Sequence, residues 1–279
     1  MDASVTAPTW ALALLGMLAV VGLVAWMNVF ARMARKLPAL PREPRTEVPW
    51  GPEGALLAAL SVALALTGLL FQEPSADVEP IEEPSTLLQA GMLALYAGTL
   101  GAGVALWLRA LCGATLIDFG LPESMRQLMR DCGLGALACT TALVPVYAVQ
   151  VLVVMVFGLP SSHPTLEQLL QDPSLATIIG AVIAAVIVAP LFEEFAFRVL
   201  LQGWLERLWG SDSVAPIFTS SLLFAIAHQG QGAAPVALFV FALVLGYLYR
   251  QTHRWAPCVV AHMCFNGLSL LMALTVQPA

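Results

Sequence analysis

Three short motifs in the last third of the chain carry side chains able to run a hydrolysis. They are Glu193-Glu194-x-x-x-Arg198, Phe224-x-x-x-His228 and His262-x-x-x-Asn266. A carboxylate can take a proton from water, and an imidazole can hold or pass one. Imidazole and carboxamide N–H groups can face the oxyanion that forms when water adds to a carbonyl. Each motif sits in an otherwise apolar stretch. Ionisable groups there are costly, so by default they face a bundle interior or a wet cavity and mark function.

Helical geometry sorts these residues. Neighbours on a helix point about 100° apart, so Glu193 and Glu194 cannot share a face. The i,i+4 spacing pairs Glu194 with Arg198. Glu193 has no partner nearby in sequence and is the candidate general base. A purely structural ion pair is the alternative for Glu194. His228 follows Phe224 by one turn, so an aromatic ring and an imidazole share a face. A lone His in an apolar helix is usually packing, and only the company of the other motifs favours chemistry. His262 and Asn266 also share a face. They can donate to an oxyanion, His262 can bind a metal, or both can bond across helices as packing. His163, in a predicted outer loop, and His253, beside Arg254 in an inner turn, read as solvated.

The elements that must position these groups are membrane spans. The chain has 279 residues, 59% hydrophobic and only 11% charged, with mean hydropathy +0.83. Soluble domains carry about 25% charged residues. The chain reads as an all-α polytopic bundle of about eight spanning helices: 10–30, 54–71, 86–108, 134–157, 175–199, 214–227, 236–249 and 256–274. The sixth and seventh are short for a span of roughly 20 residues. The first does not read as a signal peptide, because its basic cluster follows it. The natural division is 1–160, four helices with Pro-rich loops, and 161–279, four helices bearing the motifs. Pro122–Arg130 reads either as an interfacial helix or as a structured connector.

Orientation follows from charge, since Lys and Arg favour the cytoplasmic side. With both termini outside, all 12 basic residues fall on the inner side. The outer segments hold none and carry acids such as Glu73, Glu82 and Asp172. The expected location is a bacterial inner (cytoplasmic) membrane, with the lipid bilayer as one partner.

Several classes are excluded. No basic patch exists to hold phosphate, so nucleic acid is not a partner. The five cysteines form no CxxC and lie in or beside apolar runs, which suggests packed free thiols. There is no HExxH zinc helix, no GxSxG elbow and no phosphate-binding loop of the Walker type.

The three motifs, in this order on separate hydrophobic helices, resemble the CPBP family of intramembrane proteases. That family includes type II CAAX prenyl endopeptidases and bacteriocin-processing and immunity proteins. Its EExxxR, FxxxH and HxxxN motifs match here without departure, and the likeness covers about 175–274. The resemblance implies an endopeptidase cutting a membrane-associated protein or peptide, CAAX-type prenylated substrates included. It implies that Glu193 activates water with His228, and that His262 and Asn266 stabilise the oxyanion. Glu194 and Arg198 would shape the pocket, with Glu194 sharing the catalytic role, and Phe224 would support it. Relatives are classed as metalloproteases, yet a metal-free glutamate mechanism also suits them. Both stay open here: Glu193, His228 and His262 can be read as ligands of a divalent metal such as zinc, or as base and donors. The rival readings are a catalytically silent scaffold or immunity protein and a proton-coupled transporter. No repeated halves support the transporter.

One difficulty stands in the sequence. At ~1.5 Å per residue, His228 lies ~24 Å from the inner loop, Glu193 ~21 Å and His262 only ~10 Å. The motifs can meet only if the turn 251–257 dips into the protein, or if the sixth and seventh helices are offset.

Overall fold

The computed structural model describes residues 8–44, 47–70, 85–158, 168, 169 and 171–275. Helices α1 (Thr9–Ala34), α2 (Pro52–Leu70), α3 (Thr86–Cys112) and α4 (Met125–Phe157) are followed by α5 (Leu175–Trp209). Then come α6 (Ala215–Ala227), α7 (Ala234–Thr252) and α8 (Trp255–Thr275), with no strand among the described residues. Six of the eight expected spans fall within these helices; 214–227 begins one residue before α6, and residue 71 of the span 54–71 lies outside the described residues. Among the described residues, six are long and apolar enough to cross a membrane, and α6 is shorter. The chain is an integral, multi-pass, all-α membrane protein. His163, Arg45 and the acidic segment 73–83 lie outside the described residues.

Local signals explain where helices begin. Ser85, Ser124 and Ser174 each accept a hydrogen bond from the N–H three residues on, capping α3, α4 and α5. Pro216 and Pro235 open α6 and α7, where a missing N–H costs nothing. Pro122–Arg130 is neither a separate interfacial helix nor a connector. Its second half forms the first turns of α4, because the Ser124 cap joins it to the apolar run that follows.

Prolines inside spans leave carbonyls without donors, and neighbours fill the gaps. Pro145 in α4 cannot bond Thr141 O, and Trp26 of α1 donates its Nε1–H there at 2.9 Å. Helix α5 contains two π-helical stretches, Val182–Val188 and Phe195–Gln202, on either side of the α-helical turn Ala189–Glu194. Carbonyls of these stretches also take side-chain donors: Ala185 from Asn266, Phe197 from Ser220 and Leu200 from Trp50. Such π segments occur often at functional sites.

The loops that join α1 to α2, α3 to α4, α5 to α6 and α7 to α8 meet at one end. Arg42 pairs with Asp212 at 2.6 Å, and Arg254 pairs with both Asp131 and Glu43. Arg207 Nη1 donates to the carbonyls of Val48, Pro49 and Trp50. Four odd–even loops on one side require the helices to alternate in direction, which supports the parity behind the charge count. Gly120 has φ +73°, and a Cβ there would stand 2.7 Å from the backbone N of Trp255. The 113–121 loop thus seats directly on the α7–α8 turn, and Trp255 N–H donates to Gly120 O at 3.0 Å.

That turn is buried, which removes the depth difficulty. Gln251, Thr252, Pro257 and Cys258 are all inside, roofed by the 38–50 and 113–121 loops. His262 is therefore deep in the protein although only two turns from the start of α8. His253 is also buried, not solvated: the 113–121 loop packs against its backbone, and its Nε2 lies 3.3 Å from Glu206 Oε2. Cys139 and Cys258 are buried free thiols, whereas Cys132 and Cys264 are exposed on the helix surface.

Candidate active site

The first charge in the site is Arg198, fully buried on α5. Its Nε donates to Glu194 Oε2 at 3.0 Å, one turn back, as the i,i+4 spacing predicts. Its Nη1 donates to Ser220 Oγ at 3.0 Å, and that hydroxyl donates onward to Phe197 O at 2.8 Å. The guanidinium also stacks over the Phe224 ring, 5.4 Å from the centroid. A buried guanidinium is tolerable only with such pairing. Ser220 was not singled out from the sequence. Its signal is positional: it lies four residues before Phe224 and eight before His228, on one face of α6.

His228 caps its own helix. The last carbonyls of α6 lack intrahelical donors. His228 N–H serves Ala225 O, and His228 Nδ1 lies 2.8 Å from Phe224 O. A carbonyl only accepts, so Nδ1 carries the proton, and in the neutral ring Nε2 presents a lone pair. Thus Phe224 works through both its ring and its carbonyl. Its ring is fully buried and meets His228, His262 and Phe197 as well.

His262 repeats this arrangement with a stronger partner. Its Nδ1 lies 2.9 Å from Glu194 Oε1. Donation to that carboxylate again leaves Nε2 with a lone pair. Both Nε2 atoms point at Glu193: Oε2 is 3.9 Å from His228 and 3.8 Å from His262. These separations exceed a hydrogen bond, so neither imidazole is simply bonded to the carboxylate. Glu193 Oε2 and the two Nε2 atoms, from α5, α6 and α8, thus surround one point, where a cation would meet all three and a water can donate to two. Glu193 is partly exposed (24%), while Glu194 and Arg198 are sealed.

The donor types suit a zinc ion, with each imidazole oriented by a second bond. The spacing does not. Ligands of tetrahedral zinc stand about 3.3–3.5 Å apart. Among the described residues, no group of three His, Cys, Asp or Glu side chains is arranged to hold a metal.

Asn266 stands apart from the other four. Its Nδ2 donates to Ala185 O in the first π stretch at 2.8 Å, and no hydrogen bond among the described residues joins it to Glu193 or His228. Pro190 leaves that carbonyl open, and it lies outside the three motifs. A proline one turn before a paired-glutamate motif is the signal that could have found it.

Beside this site lies an apolar cavity of about 430 Å³ between α3 and α5. Gly98, Gly101 and Ala102 form one wall, and Phe192, Phe195 and Trp255 the other.

The family model described as "Type II CAAX prenyl endopeptidase Rce1-like" matches residues 175–268, about a third of the chain. The matched stretch runs from the start of α5 into α8 and includes every motif above. No curated protein and no solved structure matches the chain.

Proposed function

With an Rce1-like domain over residues 175–268 as premise, we propose that this protein is an intramembrane endopeptidase driven by Glu193. It hydrolyses a peptide bond of a membrane-associated protein or peptide. The observation that carries this reading is the convergence of Glu193 Oε2 with the Nε2 atoms of His262 and His228, at 3.8 and 3.9 Å. A water at that point donates its hydrogens to acceptors and turns its oxygen lone pair to an incoming carbonyl.

The steps balance with this chain's own groups. Glu193 takes the water proton as the hydroxide adds to the carbonyl carbon. His262, protonated from solvent before the substrate binds and keeping that proton throughout, meets the resulting oxyanion with its Nε2–H while its Nδ1–H stays on Glu194. Glu194 stabilises that imidazolium, as the buried acid does in a Ser-His-Asp triad. Arg198 pairs with Glu194 and fixes its carboxylate in place. His228 holds the water against Glu193. The protonated Glu193 then gives its proton to the leaving amine as the C–N bond breaks. For the oxyanion role that the resemblance gives Asn266, only one Nδ2 hydrogen is left, because the other serves Ala185.

The apolar cavity offers a place for an apolar chain beside the scissile bond. A prenyl group, as the family's name specifies, suits its lining and its volume. A Cβ at Gly98 or Gly101 meets nothing within 4 Å, so a larger residue there fills the space without distorting the helices. Gly101→Leu is expected to slow cleavage of a prenylated peptide more than of its unprenylated form. The loop end rich in Arg faces the cytoplasm and both termini face outward, in a bacterial inner membrane.

The test is proteomics of membrane fractions from wild-type and Glu193→Gln cells. Peptides with new C-termini that disappear in the variant identify reaction and substrate together. Identical peptide termini in both would favour a scaffold, and a proton flux without product would favour transport. The zinc reading rests on the ring orientations. Stoichiometric zinc in the purified protein, with activity lost to a chelator and restored by zinc, would replace the metal-free scheme.

A further inference from the structure

We propose that Asn266 is a positioning residue: it supplies the hydrogen bond that Pro190 deletes from α5 and thereby sets the turn that carries Glu193. This rests on the endopeptidase reading for its catalytic consequence, though not for its structural one.

The hydrogen-bond register requires it. In the π stretch Val182–Val188 each N–H reaches back five residues, and Ala189 N–H donates to Ala184 O. The next acceptor is Ala185 O. Its α-helical donor, Ala189, is already spent, and its π-helical donor is residue 190, a proline with no N–H. Ala185 O is thus left open inside an apolar span, where no lipid can donate to it. Asn266 Nδ2 fills the gap at 2.8 Å from α8. The same device recurs in α4, where Trp26 serves the carbonyl that Pro145 leaves open.

Its position matters for chemistry. Pro190 is buried and lies within one turn of Glu193. Helices α5 and α8 are therefore tied twice, by Asn266 to Ala185 and by His262 to Glu194. Two ties one turn apart on α8 fix both the separation and the rotation of the helices, and with them the approach of Glu193 to His262 Nε2. Losing one tie leaves the other as a pivot.

A double-mutant cycle tests this. Wild type, Asn266→Ala, Pro190→Ala and the double variant are compared by thermal unfolding in detergent and by kcat and KM on a substrate found by the proteomics. Asn266→Ala alone is expected to lower Tm and to cut kcat by about 10²-fold with little change in KM, the scale of a misplacement near 1 Å. Pro190→Ala restores a backbone N–H for Ala185 O. In that background Asn266→Ala is expected to cost little Tm and less than about threefold in kcat. An equal kcat loss in both backgrounds would mean that Asn266 acts on the oxyanion directly, and would overturn the proposal. If Pro190→Ala is itself inactive, the Tm cycle decides, and equal Tm losses overturn it. The Tm arm reads out even if the wild type cleaves nothing, so failure of the endopeptidase reading is told apart from failure of this one.

Discussion

Helices α1 and α3 bury 11% of their spanning windows, while α7 and α8 bury 44% and 39%. The outer helices display Met17, Met27, Phe30 and Leu95 outward, where a bilayer would cover them. The inner ones enclose Glu194, Arg198, Ser220 and His262, with Phe241, Leu245 and Tyr249 packed around them. Both sets of helices are apolar, so apolarity does not explain the difference. Position in the bundle does: α7 packs on α4, α6 and α8, and α8 on α4, α5 and α7, whereas α1 leans on α4. A helix with only apolar side chains is content with lipid, whereas a buried ion pair or open carbonyl must find a partner on another helix. Even α1 is held to α4 partly by one such demand, Trp26 at Thr141 O.

This contrast can be broken most forcefully at the site. Glu193→Gln is expected to cut cleavage by about 10²–10⁴-fold, the scale of a lost general base, with Tm close to wild type. A large drop in Tm would instead make Glu193 a structural residue. Arg198→Met strands Glu194 in the interior and should destabilise by about 3–5 kcal/mol, measured by denaturant or thermal unfolding. A change under about 1 kcal/mol would mean that water reaches the pair. Ser220→Ala should cost about 1–3 kcal/mol, because it takes from the buried Arg198 Nη1 its hydroxyl partner.

On the lipid-facing side the effects shrink. Trp26→Phe should cost about 1–3 kcal/mol at most, and far less if Pro145→Ala is introduced with it. Met27→Ala, on the same helix but facing out, should stay within about 0.5 kcal/mol. The smallest effect concerns pH. Hydrogen bonds from Thr177 and Ser174 hold the Asp172 carboxylate below its usual range. Its folded pKa is depressed, so its contribution is complete above the ordinary carboxylate range and is lost as pH falls through the folded value. Asp172→Asn should flatten that acid limb of the stability curve, read by unfolding from neutral pH downward.

Spacing and apolar runs carried much of this molecule. The eight helices follow from run length, since a chain crossing lipid must satisfy its backbone within each segment. The Glu194–Arg198 pair follows from i,i+4 geometry, and the two-sided charge distribution agrees with the way four loops gather at one end. These are local rules, readable along one strand of sequence.

What tertiary structure alone decided is where separate helices touch. Nothing in the order of residues says that the α7–α8 turn is roofed by two loops, so His262 looked too shallow and His253 looked wet. Nothing local points Asn266 at Ala185, because the open carbonyl is created by a proline 76 positions away, counting from 190 to 266. Helix register and ion-pair spacing are set by bonds a few residues long. Depth, enclosure and the meeting of the two imidazoles at Glu193 are set by packing, which depends on every helix at once.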